Sequence, residues 1–239
     1  MSMQSPLLAL QGVHAHYGKS HILHGIDLTV GRGEVVSLLG RNGAGRSTTM
    51  KSIMGLVDVT GGRIAIEGRD ITNKRPFEIA RAGLGFVPEE REVFANLTVD
   101  ENLRMGEQPA RPDAPAWTIE QMFGYFPRLK ERRNTRAGNL SGGEQQMLTM
   151  CRSLLGNPKV MLIDEPTEGL APKIVEVIAD VIRDIHQRGV SVVLVEQKLT
   201  IALKVSTRVS VMGHGRIVFE GPPAQLHERQ DVVQEWLAV

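Results

Sequence analysis

The sequence predicts an α/β fold with a mainly parallel central sheet. Short β-branched or leucine-rich runs that are apolar on both faces recur along the chain, and such runs suit strands covered by helices on both sides. Between two of them, residues 173–187 place apolar side chains at helical spacing, after Pro172 and before Gly189. The order strand, helix, strand over residues 160–195 indicates a βαβ unit and therefore the α/β class.

The strands expected in the central sheet are 35–39, 85–87, 160–163, 191–195 and 209–212. The first 35 residues and the segment 62–71 combine alternating polarity with glycine turns, which is typical of a small antiparallel sheet. Residues from about 95 to 150 are expected to be helical, apart from a proline-rich loop at 107–116.

These elements predict a single domain over residues 1–239. Its core would comprise residues 1–92 and 150–239, and an inserted helical subdomain would span about 93–149. The chain is 41% hydrophobic and 23% charged, which is ordinary for a globular protein of this length.

Composition excludes several classes of protein. The 28 basic and 27 acidic residues give a formal net charge of +1, so bulk charge does not favour a nucleic-acid partner. A single cysteine, Cys151, excludes an internal disulfide framework and fits a reducing compartment. Residues 1–10 carry no signal-peptide pattern, and the longest apolar runs fall far short of the roughly 20 residues of a membrane helix. Action at a membrane would therefore require another protein's membrane helices.

A glycine-rich loop follows the strand predicted at 35–39 and precedes a helix predicted at 47–54. Its spacing matches the phosphate-binding pattern G-x-x-x-x-G-K followed by Ser or Thr, in which backbone N–H groups and the helix N-terminus surround phosphate oxygens. Ser47 would also hold Mg²⁺. The alternative is a glycine-rich turn that binds no ligand. The residues expected to bind nucleotide in this loop are Gly40, Asn42, Gly43, Gly45, Arg46, Ser47 and Thr48.

Arg46 departs from this pattern, which has lysine at the same place. Arginine keeps the positive charge for the β- and γ-phosphate oxygens and can bind them with two nitrogens. Its planar guanidinium is wider than an ammonium group and would crowd the loop. The pattern therefore predicts nucleotide binding and leaves the rate of hydrolysis open.

Two adjacent carboxylates end the strand predicted at 160–163. At the carboxyl edge of such a sheet both can reach the crevice where ligands bind. Asp164 would hold Mg²⁺ through water, and Glu165 would orient and deprotonate the attacking water. The alternative is a solvated acidic strand end.

Residues 140–146, Leu-Ser-Gly-Gly-Glu-Gln-Gln, precede a helix predicted at 145–155. A Ser-Gly-Gly turn at a helix start is an anion site, and its alternative is a capping box made by Ser141 and Glu144. This segment resembles the signature of ABC ATPases, and Asp164–Glu165 follow it at the usual distance. The resemblance covers essentially the whole chain and implies a P-loop NTPase (RecA-like) core.

The resemblance implies further site residues and a dimer. Tyr17 is similar to the aromatic residue that stacks on adenine in this family. Ser141, Gly142 and Gly143 would close over the γ-phosphate of ATP held by a second cassette. ATP and Mg²⁺ are the implied cofactors.

Three positions resemble the smaller ATP-binding subunit of branched-chain amino acid importers. Glu89 stands where ABC cassettes usually have Gln, Gln197 where they usually have His, and Ala171 where they usually have Asp. Glu89 would ligate Mg²⁺ or position water, and Gln197 would hydrogen-bond the γ-phosphate without exchanging a proton. Glu165 is then the general base for in-line attack of water.

The function implied is the ATP-hydrolysing motor of an importer for branched-chain or related amino acids. Its partners would be a second cassette, either a related larger subunit or a copy of this chain, a membrane permease and, indirectly, a periplasmic solute-binding protein. It would lie in the cytoplasm on the inner face of the plasma membrane. Alternatives are a urea or amide importer cassette and a hydrolysis-poor, ATP-gated cassette. DNA-repair and translation-type ABC proteins fit less well, because the chain has neither a coiled-coil insertion nor a second cassette.

Some other residues have a plain structural explanation. Four histidines, at 14, 16, 21 and 24, lack the Cys or acidic partners of a metal site. The Arg-rich stretch 128–136 is typical of a solvated face, and Cys151 is typical of core. Val93, Phe94 and Leu97 are either core or, by resemblance, the groove that receives a permease helix.

Overall fold

The computed structural model describes residues 5–237. The sequence predicts no signal peptide within residues 1–10 and a domain over residues 1–239. Both predictions include residues that lie outside the described range. Four strands near the start form an antiparallel sheet in the order β2-β1-β4-β5, as predicted. A two-residue turn joins the first two strands. The strands are β1 (Leu8–Tyr17), β2 (Ser20–Val30), β4 (Val59–Ile66) and β5 (Arg69–Asp70).

The central sheet has six strands in the order β10-β9-β3-β8-β7-β6. Five of them pair in parallel, and all five predicted apolar runs are confirmed as these strands. The sixth strand, β10, pairs antiparallel with β9 and was not predicted. The strands are β3 (Val35–Leu39), β6 (Leu84–Val87), β7 (Val160–Asp164), β8 (Ser191–Val195), β9 (Arg208–Gly213) and β10 (Arg216–Gly221).

Helices cover the central sheet and fill the segment between β6 and β7. No helix within residues 5–237 has the length and apolar character needed to cross a membrane. The helices are α1 (Arg46–Ile53), α2 (Pro76–Ala82), α3 (Val99–Gly106), α4 (Ile119–Tyr125), α5 (Pro127–Glu131), α6 (Gly142–Leu154), α7 (Pro172–Gln187), α8 (Leu199–Val205), α9 (Pro223–Glu228) and α10 (Gln230–Trp236).

The predicted βαβ unit is confirmed as β7, α7 and β8. One face of α7 is buried, and Ile178, Ile182 and Ile185 lie in the same apolar cluster as strand residues Ile163 and Leu194. Burying apolar side chains of this size stabilises the fold by roughly 1.5–3 kcal/mol each. The unit therefore fixes where the carboxyl ends of β7 and β8 lie.

Helices α3 to α6 occupy the region expected to be helical, with a loop between α3 and α4 that contains the three prolines. The limits expected for the inserted subdomain, residues 93 and 149, stay a prediction. Helix α6 continues past residue 149. Cys151, on α6, is buried in the apolar cluster as expected.

Two helix starts differ from the sequence expectation. The α6 helix begins at Gly142 rather than at residue 145, because Ser141 caps it: the Ser141 hydroxyl accepts the N–H of Glu144 at 3.3 Å, and the Glu144 carboxylate accepts the N–H of Ser141 at 2.8 Å. The α1 helix begins one residue early, at Arg46, since Gly45 takes the left-handed conformation just before it. Each helix therefore starts directly at its glycine-rich loop.

Candidate functional site

A cleft of about 360 Å³ lies where the carboxyl ends of β3, β7 and β8 meet. This is the edge at which open parallel sheets bind their ligands. Most residues predicted from separate motifs come together here. The lining residues are Ile22, Asn42, Gly43, Gly45, Arg46, Ser47, Thr48, Glu89, Glu165, Glu168 and Gln197. Gly40 lines the adjoining cavity together with Asn42 and Gln197.

The loop between β3 and α1 depends on its glycines. Gly40 and Gly45 have φ values of 149° and 104°, which side chains rarely adopt. A Cβ on Gly40 would lie 2.5 Å from the carbonyl oxygen of Met212, and one on Gly45 would lie 2.9 Å from Leu23. The N–H of Gly215 anchors the loop by donating to the carbonyl of Ala44 at 3.0 Å. The turn that precedes α1 is thus a backbone cradle, as the pattern predicts.

Arg46 lies inside this loop and is only 5% exposed. Its Nη2 donates to Glu165 Oε1 at 2.9 Å and to Asn42 Oδ1 at 3.1 Å. Its Nη1 is buried and has no hydrogen-bond partner. The guanidinium therefore points into the cleft, as expected, but it pairs with the carboxylate that follows β7.

Glu165 directly follows β7 and has a φ of 45°, an uncommon value for a residue with a side chain. Its Oε2 accepts a hydrogen bond from Gln197 Nε2 at 2.6 Å. Burial, with a contribution from the Glu168 carboxyl group, raises the pKa of Glu165 to about 7 in spite of the Arg46 charge. A carboxylate with such a pKa can take a proton from water near neutral pH.

Asp164 is 1% exposed at the end of β7, and the Ser47 hydroxyl donates to its Oδ1 at 3.3 Å. Burial raises the pKa of Asp164 to about 6, although the Ser47 hydrogen bond opposes the shift. A hydroxyl and a carboxylate oxygen from two chain segments suit the oxygen preference of Mg²⁺. The pair thus fits the predicted metal site.

Glu89 lies near this pair, since its charge contributes to the raised pKa of Asp164, and it also lies close to two other carboxylates. Among residues 5–237, Glu89, Glu165 and Glu168 are the one set of three His, Cys, Asp or Glu residues whose ligand atoms lie within 4.8 Å of one another. That Glu89 joins Ser47 and Asp164 at the metal stays a prediction.

Six predicted site residues are not in the cleft lining: Gly40 and Asp164, which adjoin it, and four that lie elsewhere. Tyr17, the last residue of β1, is 49% exposed. Ser141, Gly142 and Gly143 lie at the start of α6, where the Arg91 guanidinium and the side chains of Leu170 and Ile174 are their neighbours. Within one chain, the signature turn (residues 141–143) therefore does not touch the phosphate loop. This position is the one required of a turn that completes the ATP site of a second cassette.

Two cleft residues, Glu168 and Ile22, were not predicted. Glu168 lies three residues after Glu165 in the chain. Its side chain reaches the cleft only because the loop after β7 turns, and sequence spacing does not show that turn. Ile22 comes from β2 in the other sheet, and sequence spacing carries no signal for it.

The four histidines at positions 14, 16, 21 and 24 also lie together, because β1 and β2 pair in a register that places His14 opposite His24 and His16 opposite His21. The His16 and His21 rings stack with their centres 4.0 Å apart. Nδ1 of His14 and Nε2 of His21 also face each other at 3.1 Å.

Comparison with known proteins is consistent with this geometry. Residues 23–168 match the ABC transporter family. The high-affinity branched-chain amino acid transport ATP-binding protein BraG of Pseudomonas aeruginosa is 42% identical over 220 residues, which cover 92% of this chain and 94% of that protein. The lipopolysaccharide export system ATP-binding protein LptB of Haemophilus influenzae is 32% identical over 97% of both chains.

A solved structure shows the same fold. The nucleotide-free ATP-binding cassette of an ABC transporter superposes with a TM-score of 0.81 at 27% identity, over 97% of this chain and 96% of that one. The predicted P-loop NTPase fold is thus confirmed. Proteins of this family bind ATP, dimerise and work with membrane permeases. The chain belongs to the ABC transporter family and is one of its ATP-binding subunits, in which ATP hydrolysis is coupled to transport.

Proposed function

We propose that the chain binds Mg-ATP in the cleft and powers the import of branched-chain or related amino acids. The observation that carries the site is that Arg46, Ser47, Glu165 and Gln197, which come from three separate stretches of sequence, meet around one cavity. The similarity to BraG supports the substrate class. The match to LptB means that family membership alone does not decide the solute.

The roles follow from the positions of the side chains. Backbone N–H groups of the loop from Gly40 to Thr48 bind phosphate oxygens, and Ser47 and Asp164 hold Mg²⁺ with Glu89 close by. Bound there, Mg²⁺ neutralises charge on the phosphates. Glu165 accepts the proton of the attacking water, and Gln197 donates to the γ-phosphate. Positioning and charge neutralisation supply most of the rate.

The complete site needs a second cassette. Tyr17 stacks on adenine from the exposed end of β1. Ser141, Gly142 and Gly143 are presented at the start of α6, away from the chain's own phosphate loop, so that they can close over ATP held by the partner. The partner is a related larger cassette, with a copy of this chain as the alternative.

The permease would dock beside the loop that follows Glu89. Phe94 is an exposed large apolar residue there, with the Arg152 guanidinium 4.7 Å from its ring centre. Together with Val93 and Leu97 it offers apolar surface to a permease helix. The chain would then lie on the inner face of the plasma membrane, with a periplasmic binding protein acting on the other side.

One contact favours the alternative of a slow, ATP-gated cassette. Arg46 pairs with Glu165, the proposed base, and so competes with water for it. Phosphate release in the assembled complex distinguishes a slow gate from a working motor.

Uptake of labelled leucine and of labelled urea tests the proposal. The chain is reconstituted into vesicles with the permease and second cassette of a branched-chain amino acid importer, and Glu165→Gln serves as the matched variant. We expect ATP-dependent leucine uptake by the parent and none by Glu165→Gln, which should still bind ATP. Uptake of urea instead of leucine would contradict the substrate class, and equal hydrolysis by both forms would contradict the role of Glu165.

A further inference from the structure

We propose that Arg46 latches Glu165 in the nucleotide-free chain and is transferred to phosphate when nucleotide binds. This inference rests on the proposed function of the cleft. It adds a competition between Glu165 and phosphate for one guanidinium, so that the base becomes free only when nucleotide is present.

Four side chains form a closed hydrogen-bonded ring, which we call the latch: Asn42, Arg46, Glu165 and Gln197. Arg46 Nη2 donates to Glu165 Oε1 at 2.9 Å and to Asn42 Oδ1 at 3.1 Å. Gln197 Nε2 donates to Glu165 Oε2 at 2.6 Å and to Asn42 Oδ1 at 3.2 Å. Both carboxylate oxygens of Glu165 thus already accept a hydrogen bond, which reduces the capacity left for an attacking water.

The charged pair of the latch, Arg46 and Glu165, is shielded from solvent, whereas Asn42 and Gln197 are exposed. The side chains of Arg46 and Glu165 are 5% and 6% exposed. A buried pair of this kind is costly to break on one side, because the remaining charge is then left without a partner. Glu165 therefore stays in the latch until something else compensates the guanidinium.

The group that compensates the guanidinium charge can be inferred from the Nη1 atom of Arg46. It is buried and has no hydrogen-bond partner, which is unfavourable for a polar donor. The guanidinium sits in the phosphate loop, where a phosphate oxygen would satisfy Nη1. Guanidinium binds phosphate with two nitrogens, so such a contact also draws Nη2 away from Glu165.

Lysine in this position would act differently. Its donors all lie on one compact ammonium nitrogen, whereas arginine has a second nitrogen, Nη1, that is without a partner while Nη2 holds Glu165. The departure from the usual phosphate-loop pattern thus gives this chain a direct link between nucleotide binding and the freedom of its base.

A double-mutant cycle on the full-length chain tests the latch. The affinities for Mg-ADP and for a non-hydrolysable Mg-ATP analogue are measured by titration calorimetry for the parent, Glu165→Gln, Arg46→Met and the double variant. If Glu165 competes for Arg46, Glu165→Gln should tighten binding about 3- to 10-fold in the Arg46 background, and this gain should vanish in the Arg46→Met background.

Glu168→Gln is the comparison variant, since it removes a carboxylate of the same cleft that contacts Glu165 but is not hydrogen-bonded to Arg46. Its effect should be the same in both backgrounds. Arg46→Gln provides a second neutral background, and the thermal midpoint of each variant reports whether it folds.

Equal effects of Glu165→Gln in the presence and absence of Arg46 would overturn the latch while leaving the proposed function intact. Failure of the parent to bind either nucleotide would instead overturn the proposed function, and the latch with it.

Discussion

Thr167 donates its hydroxyl to the buried carboxylate of Glu196 at 2.7 Å. The other oxygen of Glu196 accepts the backbone N–H groups of Gln197 and Lys198, each at 2.9 Å. The pair therefore joins the loop that follows Glu165 to the loop that carries Gln197. Neither residue lines the cleft, yet together they fix the distance between two side chains that do.

Thr167→Val should separate this structural role from the chemistry. Valine keeps the shape of threonine but removes the donor, so one buried oxygen of Glu196 loses its partner. We expect a loss of about 1–3 kcal/mol in the free energy of unfolding, measured by urea titration. Thr167→Ser keeps the hydroxyl and should lose less. Equal stability of the valine variant and the parent would show that the hydrogen bond contributes nothing net.

Gly142→Ala should reduce activity without unfolding the chain. A Cβ at Gly142 would collide with the Arg91 guanidinium, which is the far end of a flexible side chain and can move. We expect the unfolding free energy to change by less than about 1 kcal/mol. Hydrolysis by the complete cassette pair should fall at least about 10-fold, because the methyl group and the displaced Arg91 would stand in the signature turn.

Gly124→Ala is the control for this variant. Gly124 is also helical, and a Cβ there would meet nothing within 4 Å. Its hydrolysis rate should match that of the parent. A Gly142→Ala chain that hydrolyses ATP at the parent's rate would remove the signature turn from the proposed site.

Sequence predicted those parts of the fold and site that depend on neighbouring residues. The apolar strand before Gly40, the helix after it and the cap at Ser141 are local patterns, and all are present. The Arg46–Glu165 pair joins residues 119 positions apart, and no spacing rule specifies that contact. The short strand β10 was missed because its burial alternates on an edge instead of forming an apolar run.

The pKa of Asp164 makes the stability of the nucleotide-free chain depend on pH. Burial raises this pKa from 3.8 to about 6, so the folded state binds more protons than the unfolded state between these values. The resulting stabilisation is fully present below pH 3.8 and is lost as pH rises through about 6. At pH 8 the folded chain carries a buried charge at this position.

Asp164→Asn should therefore stabilise the chain more at pH 8 than at pH 5, by about 1 kcal/mol. Asparagine keeps an oxygen that accepts from Ser47, so the hydrogen bond survives. Thermal unfolding in buffer free of Mg²⁺ and nucleotide measures the difference. A gain of equal size at both pH values would mean that burial does not shift this group.

Tyr17 offers a test of adenine binding away from the phosphates. It ends β1 with half of its surface exposed, and β1 and β2 turn back directly after it. If the ring stacks on adenine, Tyr17→Ala should weaken ATP binding by about 1–2 kcal/mol, and Tyr17→Phe should be nearly silent, because the ring face carries the contact. The affinity for ATP and for tripolyphosphate is measured for each variant. Tripolyphosphate lacks the base, so its affinity should be the same for all three chains. Equal losses of ATP affinity in the alanine and phenylalanine variants would assign the effect to the hydroxyl and contradict stacking.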